Sequence, residues 1–253
     1  MKKFIDNILL KFGLKIIKRP ILNGSGKFSI AKHSYNIVTP SANYSPWDGD
    51  SDFQAINSVA KHNTLVDQYR MYELWELTEQ VSKLDINANF IEIGVWRGGT
   101  AALIGKKLEL LKSNAKFYIA DTYTGVVKST EKDLYYNDNE HNDTSLEIVE
   151  KLIEPIKINY QKLVGIFPED TAHFIEETEK FGLCHIDVDV YQSAKDIVDW
   201  IWDRMIVGGV IVFDDYGFHT CTGITTYIHE IKHLKDRMII HNINGHALII
   251  KLS

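Results

Sequence analysis

The sequence predicts one large α/β domain in which helices cover both faces of a mostly parallel sheet. From about residue 62, short apolar runs rich in β-branched and aromatic residues alternate with stretches of helical periodicity. The short runs are apolar on both faces, as buried parallel strands are. The predicted strands are residues 89–95, 116–123, 160–167, 183–190 and 208–215, and the predicted helices are residues 64–82, 98–112, 143–156, 171–180, 192–204 and 221–235.

The end of the chain predicts an antiparallel hairpin. Residues 237–252 consist of two β-rich runs separated by Asn244 and Gly245, and Asn-Gly is a common hairpin turn. Five parallel strands followed by two antiparallel strands make a seven-stranded sheet. This ending differs from the plain plan of a dinucleotide-binding domain.

Composition excludes several classes of protein. The chain has 253 residues, of which 45% are hydrophobic and 25% are charged, so long disorder and low-complexity structure are excluded. No apolar run approaches the roughly 20 residues that span a bilayer. The two cysteines, Cys184 and Cys221, cannot form a disulfide framework and lie in no C-x-x-C motif. A cytoplasmic location is therefore expected.

Charge is distributed unevenly along the chain. Residues 1–19 contain six basic residues and one acidic residue, and the remaining residues carry a net charge of −11. An acidic body repels a phosphate backbone, so we expect no nucleic-acid partner.

The first 60 residues are predicted to lie outside the main domain, which we place at 61–253. Within residues 1–19, apolar side chains recur at helical spacing between lysines. This amphipathic helix either lies weakly on an anionic membrane surface or packs on the domain or on a second subunit. Residues 20–60 are rich in turn formers and are predicted to form an irregular arm.

A glycine-rich loop follows the first predicted parallel strand. Gly94, Gly98 and Gly99 have the spacing G-x-x-x-G-G, so the dinucleotide fingerprint G-x-G-x-x-G is absent. We expect Gly94 to permit a tight turn, and the other two glycines to let a ligand approach the helix N-terminus. Glu92 beside the loop would repel a diphosphate but suits a cationic ligand such as S-adenosylmethionine. Asp121, at the end of the second strand, is placed to accept both ribose hydroxyls of an adenosine ligand.

Four aspartates follow two further strands. Asp187 and Asp189 lie in HIDVDV, and Asp214 and Asp215 lie in VIVFDDYG. Ligands of open parallel sheets bind at the carboxyl ends of the strands, and four carboxylates there repel one another unless a cation neutralises them. Oxygen ligands without clustered histidine or cysteine favour Mg²⁺ or a similar ion.

Taken together, these motifs resemble the macrocin O-methyltransferase family, whose members are metal-dependent enzymes that methylate sugar hydroxyls of natural products. The resemblance covers roughly residues 62–250. The matching segments are IEIGVWRGGT (91–100), ADTYTG (120–125), GIFPEDT (165–171), HIDVDVYQS (185–193) and GGVIVFDDYG (208–217).

The resemblance implies a Rossmann-like class I methyltransferase fold and an S-adenosylmethionine-dependent O-methyltransferase that uses Mg²⁺ or a similar ion. It also implies a saccharide-type small-molecule substrate and favours a homo-oligomer. The implied cofactor-binding residues are Thr64, Glu92, Gly94, Trp96, Thr100, Asp121 and Phe167, and the implied metal ligands are Asp187, Asp214 and Asp215.

Methylation of a sugar hydroxyl needs a base, because the hydroxyl is almost wholly protonated at neutral pH. We predict His219, two residues past the DDYG motif, as this base because imidazole titrates near neutral pH. Asp187 is the second predicted catalytic residue, as a metal ligand. His185 lies inside an apolar strand and is expected to be a hydrogen-bonded core residue. In catechol-type relatives a lysine follows the first metal aspartate by three residues; Val190 stands here, which argues against a catechol substrate.

Two other functions remain open at this point. An NAD-dependent oxidoreductase on the same kind of sheet predicts nicotinamide binding without a metal, and the missing fingerprint counts against it. A noncatalytic membrane-associated binding module would use residues 1–19 as its anchor. Residues 126–146 are polar and turn-rich, and are predicted to be either a mobile lid or a solvated loop.

Overall fold

The computed structural model describes residues 28–38, 42–85 and 87–253. The chain divides into two compact units, Met1–Thr39 and Pro40–Ser253. The described part of the first unit is a small antiparallel hairpin of β1 (Phe28–Ile30) and β2 (His33–Tyr35). The predicted amphipathic helix of residues 1–19 lies outside the described residues.

The second unit is built on a seven-stranded sheet. Its strands have the order β5-β4-β3-β6-β7-β9-β8; the first five of these are parallel, and β9 pairs antiparallel with both β7 and β8. The predicted sheet with a terminal hairpin is thereby confirmed. The strands are β3 (Asn89–Ile93), β4 (Lys116–Asp121), β5 (Asn159–Val164), β6 (Phe181–Ile186), β7 (Met205–Phe213), β8 (Arg237–His241) and β9 (Ala247–Lys251).

Helices cover both faces of this sheet. Helices α1 to α4 contribute to the hydrophobic core on one face, and α5 and α6 to the core on the other. The central strands are apolar on both sides, which is why both cores are continuous: in β4, Phe117 faces one core and Tyr118 the other. The helices are α1 (Ser51–Ala60), α2 (Gln68–Ser82), α3 (Gly99–Leu110), α4 (Leu146–Ile153), α5 (Tyr191–Ile201) and α6 (Thr222–Ile231).

The strand order reverses direction next to β3. After β3 the chain builds β4 and β5 on one side, then crosses back to place β6 on the other side. Such a reversal opens a crevice at the carboxyl ends of the strands, where open α/β sheets bind their ligands. The crevice here lies between the loops that follow β3 and β6.

Residues 51–60 are helical, so the prediction of an irregular arm over 20–60 is wrong for this part. Asp50 caps α1 by accepting a hydrogen bond of 2.8 Å from the backbone N–H of Phe53. Phe53, Asn57 and Ala60 then recur at helical spacing on the buried face. The turn formers just before the helix obscured this short apolar stripe.

The helix predicted over residues 171–180 is also wrong, because the structure has only one 3-10 turn there, Ala172–Phe174. Ile175 is buried, but the next five residues, EETEK, are all polar. A helix through them would have no apolar face to pack on the sheet.

The terminal hairpin has a longer connection than the predicted Asn-Gly turn. Five residues separate β8 from β9, closed by a hydrogen bond of 2.9 Å from the Asn242 N–H to the His246 carbonyl. Gly245, at φ +121°, provides the backbone conformation that this loop needs. Among the described residues, no helix is long and apolar enough to cross a membrane.

Leu103 in α3 tests the packing of the core to which helices α1 to α4 contribute. Its side chain is wholly buried, so we expect Leu103→Ala to lower the free energy of unfolding by about 2–5 kcal/mol, through lost burial and a residual cavity. Leu110→Ala, on the exposed side of the same helix, should change it by less than about 0.5 kcal/mol. Urea unfolding of both variants measures the difference, and equal effects would contradict this packing.

Candidate active site

A pocket of about 270 Å³ opens at the carboxyl ends of the parallel strands. Loops after β3, β4, β5, β6 and β7 all contribute to its lining, together with the segment before α2. Nine of the eleven predicted site residues line this pocket; Glu92 and His219 are described separately below. The lining includes Thr64, Gly94, Trp96, Thr100, Asp121, Phe167, Asp187, Asp214 and Asp215.

Gly94 is required by the close approach of two strand ends. It has φ +85°, and a Cβ at this position would lie 1.8 Å from the backbone oxygen of Asp187. Gly94 therefore brings the loop after β3 directly against the first aspartate of the acidic cluster.

Gly98 and Gly99 serve packing rather than ligand approach, which corrects the expectation for them. Gly98 is the left-handed N-cap of α3 and lies against Val149. A Cβ on Gly99 would lie 2.6 Å from the carbonyl oxygen of Ala60. These two glycines let α1 and α4 pack against the start of α3.

Asp121 lies in the pocket wall with both carboxylate oxygens engaged. It accepts backbone hydrogen bonds of 2.8 Å from Trp96 and 2.6 Å from Tyr123. Burial raises the pKa of Asp121, and these hydrogen bonds oppose the rise. Each oxygen retains a further lone pair, so the carboxylate can still accept bonds from a ligand.

Glu92 lies in β3 and is not among the residues that line the pocket. Its buried carboxylate accepts a hydrogen bond from the Thr100 hydroxyl, and one oxygen lies 3.0 Å from Nδ1 of His185. Thr100 faces the pocket, as does Thr64, whose Oγ1 accepts a hydrogen bond of 3.0 Å from the Val66 N–H. Glu92 thus supports the wall from within, and His185 is the hydrogen-bonded core residue that the sequence predicts.

Phe167 forms another part of the wall. Its ring is almost fully buried and packs edge-on against Trp200, with the ring centroids 4.9 Å apart. The part of the ring that lines the pocket offers an apolar surface on the side of Asp121 and the loop after β5.

The three predicted metal ligands converge. Asp187, Asp214 and Asp215 each offer a carboxylate oxygen within 4.8 Å of the others. Burial raises the pKa of Asp187 and of Asp215 well above the usual range, and repulsion from the neighbouring carboxylates adds to it. Asp215 also accepts a hydrogen bond of 2.9 Å from the backbone N–H of Asp189.

Asp214 differs because it has cationic and imidazole partners. Burial opposes its ionisation, but the imidazoles of His185 and His246 and the charge of Arg70 outweigh burial and lower its pKa. Arg70 Nη1 pairs with Oδ2 of Asp214, and His246 Nε2 lies 2.9 Å from Oδ1. Asp214 is thereby held ionised and in one orientation.

Sequence reasoning missed Arg70, Glu73 and His246. Arg70 and Glu73 lie in the first turns of α2, where charged residues are usually solvated, and His246 lies in the hairpin loop. One signal was available: Arg70 follows the N-cap Asp67 by three residues, and these two side chains pair at 2.9 Å. The partner across the fold, Asp214, is separated by 144 residues and leaves no local pattern.

The segment predicted to be a mobile lid or a solvated loop, residues 126–146, ends where α4 begins at Leu146. Its residues 126–145 are attached to the domain at two points. Asp133 is buried and accepts a hydrogen bond of 2.9 Å from the Tyr191 N–H at the start of α5. Near the other end, Asp143 accepts a hydrogen bond of 2.9 Å from the Trp96 indole. Between these attachments, Tyr136 and His141 line the pocket.

His219 lies beside the pocket, between two lining residues, Phe218 and Thr220. Its ring contacts Tyr135 edge-on, with the centroids 5.7 Å apart. Among the described histidines, the one whose side chain belongs to the pocket lining is His141, with Nε2 3.4 Å from the Tyr136 hydroxyl. The role of His219 as a base therefore stays a prediction.

Known proteins with similar sequences are O-methyltransferases by name. The chain is 24% identical over 174 residues to the 8-demethyl-8-(2,3-dimethoxy-alpha-L-rhamnosyl)-tetracenomycin-C 4'-O-methyltransferase of Streptomyces olivaceus, covering 63% of this chain and 64% of that protein. It is also 24% identical over 174 residues to the mycinamicin III 3''-O-methyltransferase of Micromonospora griseorubida, covering 63% of this chain and 67% of that protein.

Solved structures share the fold. The O-methyltransferase NovP superposes with a TM-score of 0.65 at 20% identity, covering 76% of this chain and 82% of that one. The calicheamicin methyltransferase CalS11 superposes with a TM-score of 0.59 at 13% identity, covering 83% and 94%. The fold is therefore that of the Rossmann-like methyltransferases.

A family model covers most of the chain as well. The model of the macrocin-O-methyltransferase (TylF) family matches residues 34–248, a range that includes every residue placed on the pocket above. The chain belongs to the macrocin-O-methyltransferase family.

Proposed function

We propose that the protein is an S-adenosylmethionine-dependent O-methyltransferase that methylates a hydroxyl of a sugar or glycosylated metabolite with the aid of Mg²⁺ or a similar ion. One observation carries the proposal: a single pocket joins Asp121 and the glycine loop to the carboxylates of Asp187, Asp214 and Asp215. One relative is named as the O-methyltransferase of a rhamnosyl compound, which supports a saccharide acceptor here.

The methyl donor, S-adenosylmethionine, would bind in the part of the pocket that the loops after β3, β4 and β5 line. Asp121 is placed to accept the ribose hydroxyls, and Phe167 supplies an apolar surface for the adenine. Thr64, in the segment before α2, and Thr100, at the start of α3, line the same pocket. Glu92 fixes Thr100 from behind and adds negative charge near a ligand that carries a sulfonium and an ammonium.

The residues present fit a hard divalent cation. Asp187, Asp214 and Asp215 supply three oxygen donors within 4.8 Å, a set that suits Mg²⁺. When bound, such an ion lowers the pKa of an acceptor hydroxyl and orients it. Asp214 enters this set already ionised, because Arg70 and His246 compensate its charge.

Other residues of the chain position the acceptor and receive its proton. Phe218, Tyr136 and Val126 also line the pocket, and their side chains would restrict water around the reacting atoms. Holding the methyl donor and the acceptor hydroxyl in line lowers the activation free energy by several kcal/mol. We propose His219 as the base that takes the hydroxyl proton, with the pocket-lining His141 as the residue to compare with it.

Two further proposals concern assembly. The family resemblance and the amphipathic residues 1–19 support self-association, and the basic residues of this segment support weak contact with anionic membranes.

Calorimetry with S-adenosylhomocysteine tests the donor site. The protein should bind this product with micromolar affinity, and Asp121→Asn should weaken binding at least about tenfold, since a hydrogen bond to a charged group contributes about 1.5–3 kcal/mol. Asp85→Asn, on an exposed turn, is the matched control. Absence of binding to the unsubstituted protein, or binding of NAD instead, would refute the donor assignment.

Transfer of a labelled methyl group to a panel of L-rhamnosides tests the cation. Asp215→Asn or a chelator should lower the rate at least about 100-fold, because a metal supplies several kcal/mol of charge stabilisation. The exposed Asp199→Asn should retain the activity. A chelator-resistant rate that is also unchanged in Asp215→Asn contradicts the metal proposal.

The same assay separates the two candidate bases. His219→Gln should lower kcat by about 10²–10⁴-fold, the contribution of a general base, while His141→Gln should mainly affect KM through acceptor contacts. The reverse pattern would transfer the proton-accepting role to His141, and full activity in both variants would exclude a histidine base at these positions.

A further inference from the structure

Beneath the pocket, four ionisable side chains form a row across neighbouring strands. Glu92 in β3 and His185 in β6 are paired in register. Asp214 and His246 each lie one position beyond the last paired residues of β7 and β9, so they face each other across the antiparallel ladder. All four are buried, on the side of the sheet covered by α2 and α3.

Three donor atoms of this row converge on one point. His185, Asp214 and His246 each offer one ligand atom, and these three atoms all lie within 4.8 Å of one another. Oδ1 of Asp214 is 2.9 Å from the His246 nitrogen and 3.8 Å from the His185 nitrogen. Two ligands of a tetrahedral Zn²⁺ lie roughly 3.4 Å apart, given bonds of about 2.1 Å, so the observed separations bracket that spacing.

Each imidazole is oriented by a carboxylate on its other nitrogen. Nδ1 of His185 lies 3.0 Å from Oε1 of Glu92, and Nδ1 of His246 pairs with Oε2 of Glu73. Glu73 is itself held by an amide hydrogen bond of 3.0 Å from Asn244. Carboxylate–histidine pairs of this kind fix the tautomer that presents Nε2 to a metal.

One of the three donors lacks a partner. Nε2 of His185 is wholly buried and makes no hydrogen bond to any described residue. Its distance of 3.8 Å from Asp214 is too long for one. An unpaired buried nitrogen is costly, and a cation between His185, Asp214 and His246 would satisfy it.

We propose that His185, Asp214 and His246 form a binding site for Zn²⁺ or a similar transition-metal ion, distinct from the carboxylate cluster of Asp187, Asp214 and Asp215. Imidazole donors favour Zn²⁺ and Co²⁺, whereas the all-oxygen cluster favours Mg²⁺. The ion replaces the proton shared between His246 Nε2 and Asp214. Because Asp214 belongs to both sets, occupation of one site alters the affinity of the other.

Calorimetric titration of the full chain with Zn²⁺ in saturating Mg²⁺ tests the site. His185→Gln and His246→Gln should each weaken Zn²⁺ binding at least about tenfold. Cys221→Ser, which removes a thiol beside Asp189 and Asp215, should bind Zn²⁺ as the unsubstituted protein does, and so should His233→Gln, which removes an exposed histidine.

Absence of Zn²⁺ binding to the unsubstituted protein would overturn the proposal. So would loss of binding in Asp187→Asn or Cys221→Ser with full binding in both histidine variants, because the ion would then lie among the carboxylates or at the thiol.

The visible spectrum of the Co²⁺-loaded protein gives a test that needs no variant. Intense bands of a four-coordinate site with nitrogen ligands are expected, and the weak bands of a six-coordinate oxygen site alone would count against the histidine site. The result is independent of methyl-transfer activity, so failure of this inference leaves the proposed function untouched.

Discussion

The ionised carboxylate of Asp214 is the constraint on which the rest of the site depends. Its side chain is almost wholly buried, and a buried charge is tolerated only when other groups compensate it. Arg70 from α2 and His246 from the terminal hairpin meet this need, and Asp67 and Glu73 in turn hold those two residues. The carboxylate of Asp214, at the end of β7, therefore connects α2, the terminal hairpin and the pocket, which are built from distant parts of the sequence.

The need to compensate the charge of Asp214 also explains why the sheet ends in an antiparallel hairpin. The antiparallel strand β9 lies beside β7 and brings His246 opposite Asp214. On the other side of the site, Gly94 allows the loop after β3 to contact the backbone of Asp187, where a Cβ would overlap the carbonyl oxygen. The loop after β3 and the acidic cluster are thus brought into contact by backbone geometry, while Tyr136 and His141 of the segment 126–145 line the same pocket.

Much of this arrangement could be predicted from the sequence because its signals are local. Apolar runs identified every strand of the main sheet, and Asp121, Asp187, Asp214 and Asp215 could be placed together because parallel strands end at one edge. Arg70 and His246 could not be placed, since their partner is far along the chain and neither lies in a recognisable motif. Glu92 was expected beside the ligand, but it lies in β3 and its side chain turns to Thr100 and His185, because residues of β3 alternate between the two faces. The missed helix α1 and the wrongly predicted helix over 171–180 show that short segments are decided by tertiary packing.

Anomalous diffraction from a crystal grown with Mn²⁺ and S-adenosylhomocysteine tests the central claim most directly. The account predicts an anomalous peak within bonding distance of Asp187, Asp214 and Asp215, with the ribose of the nucleoside on Asp121 in the same pocket. A nucleoside bound elsewhere, or a pocket that holds the nucleoside while the manganese peak lies away from these three carboxylates, would contradict it.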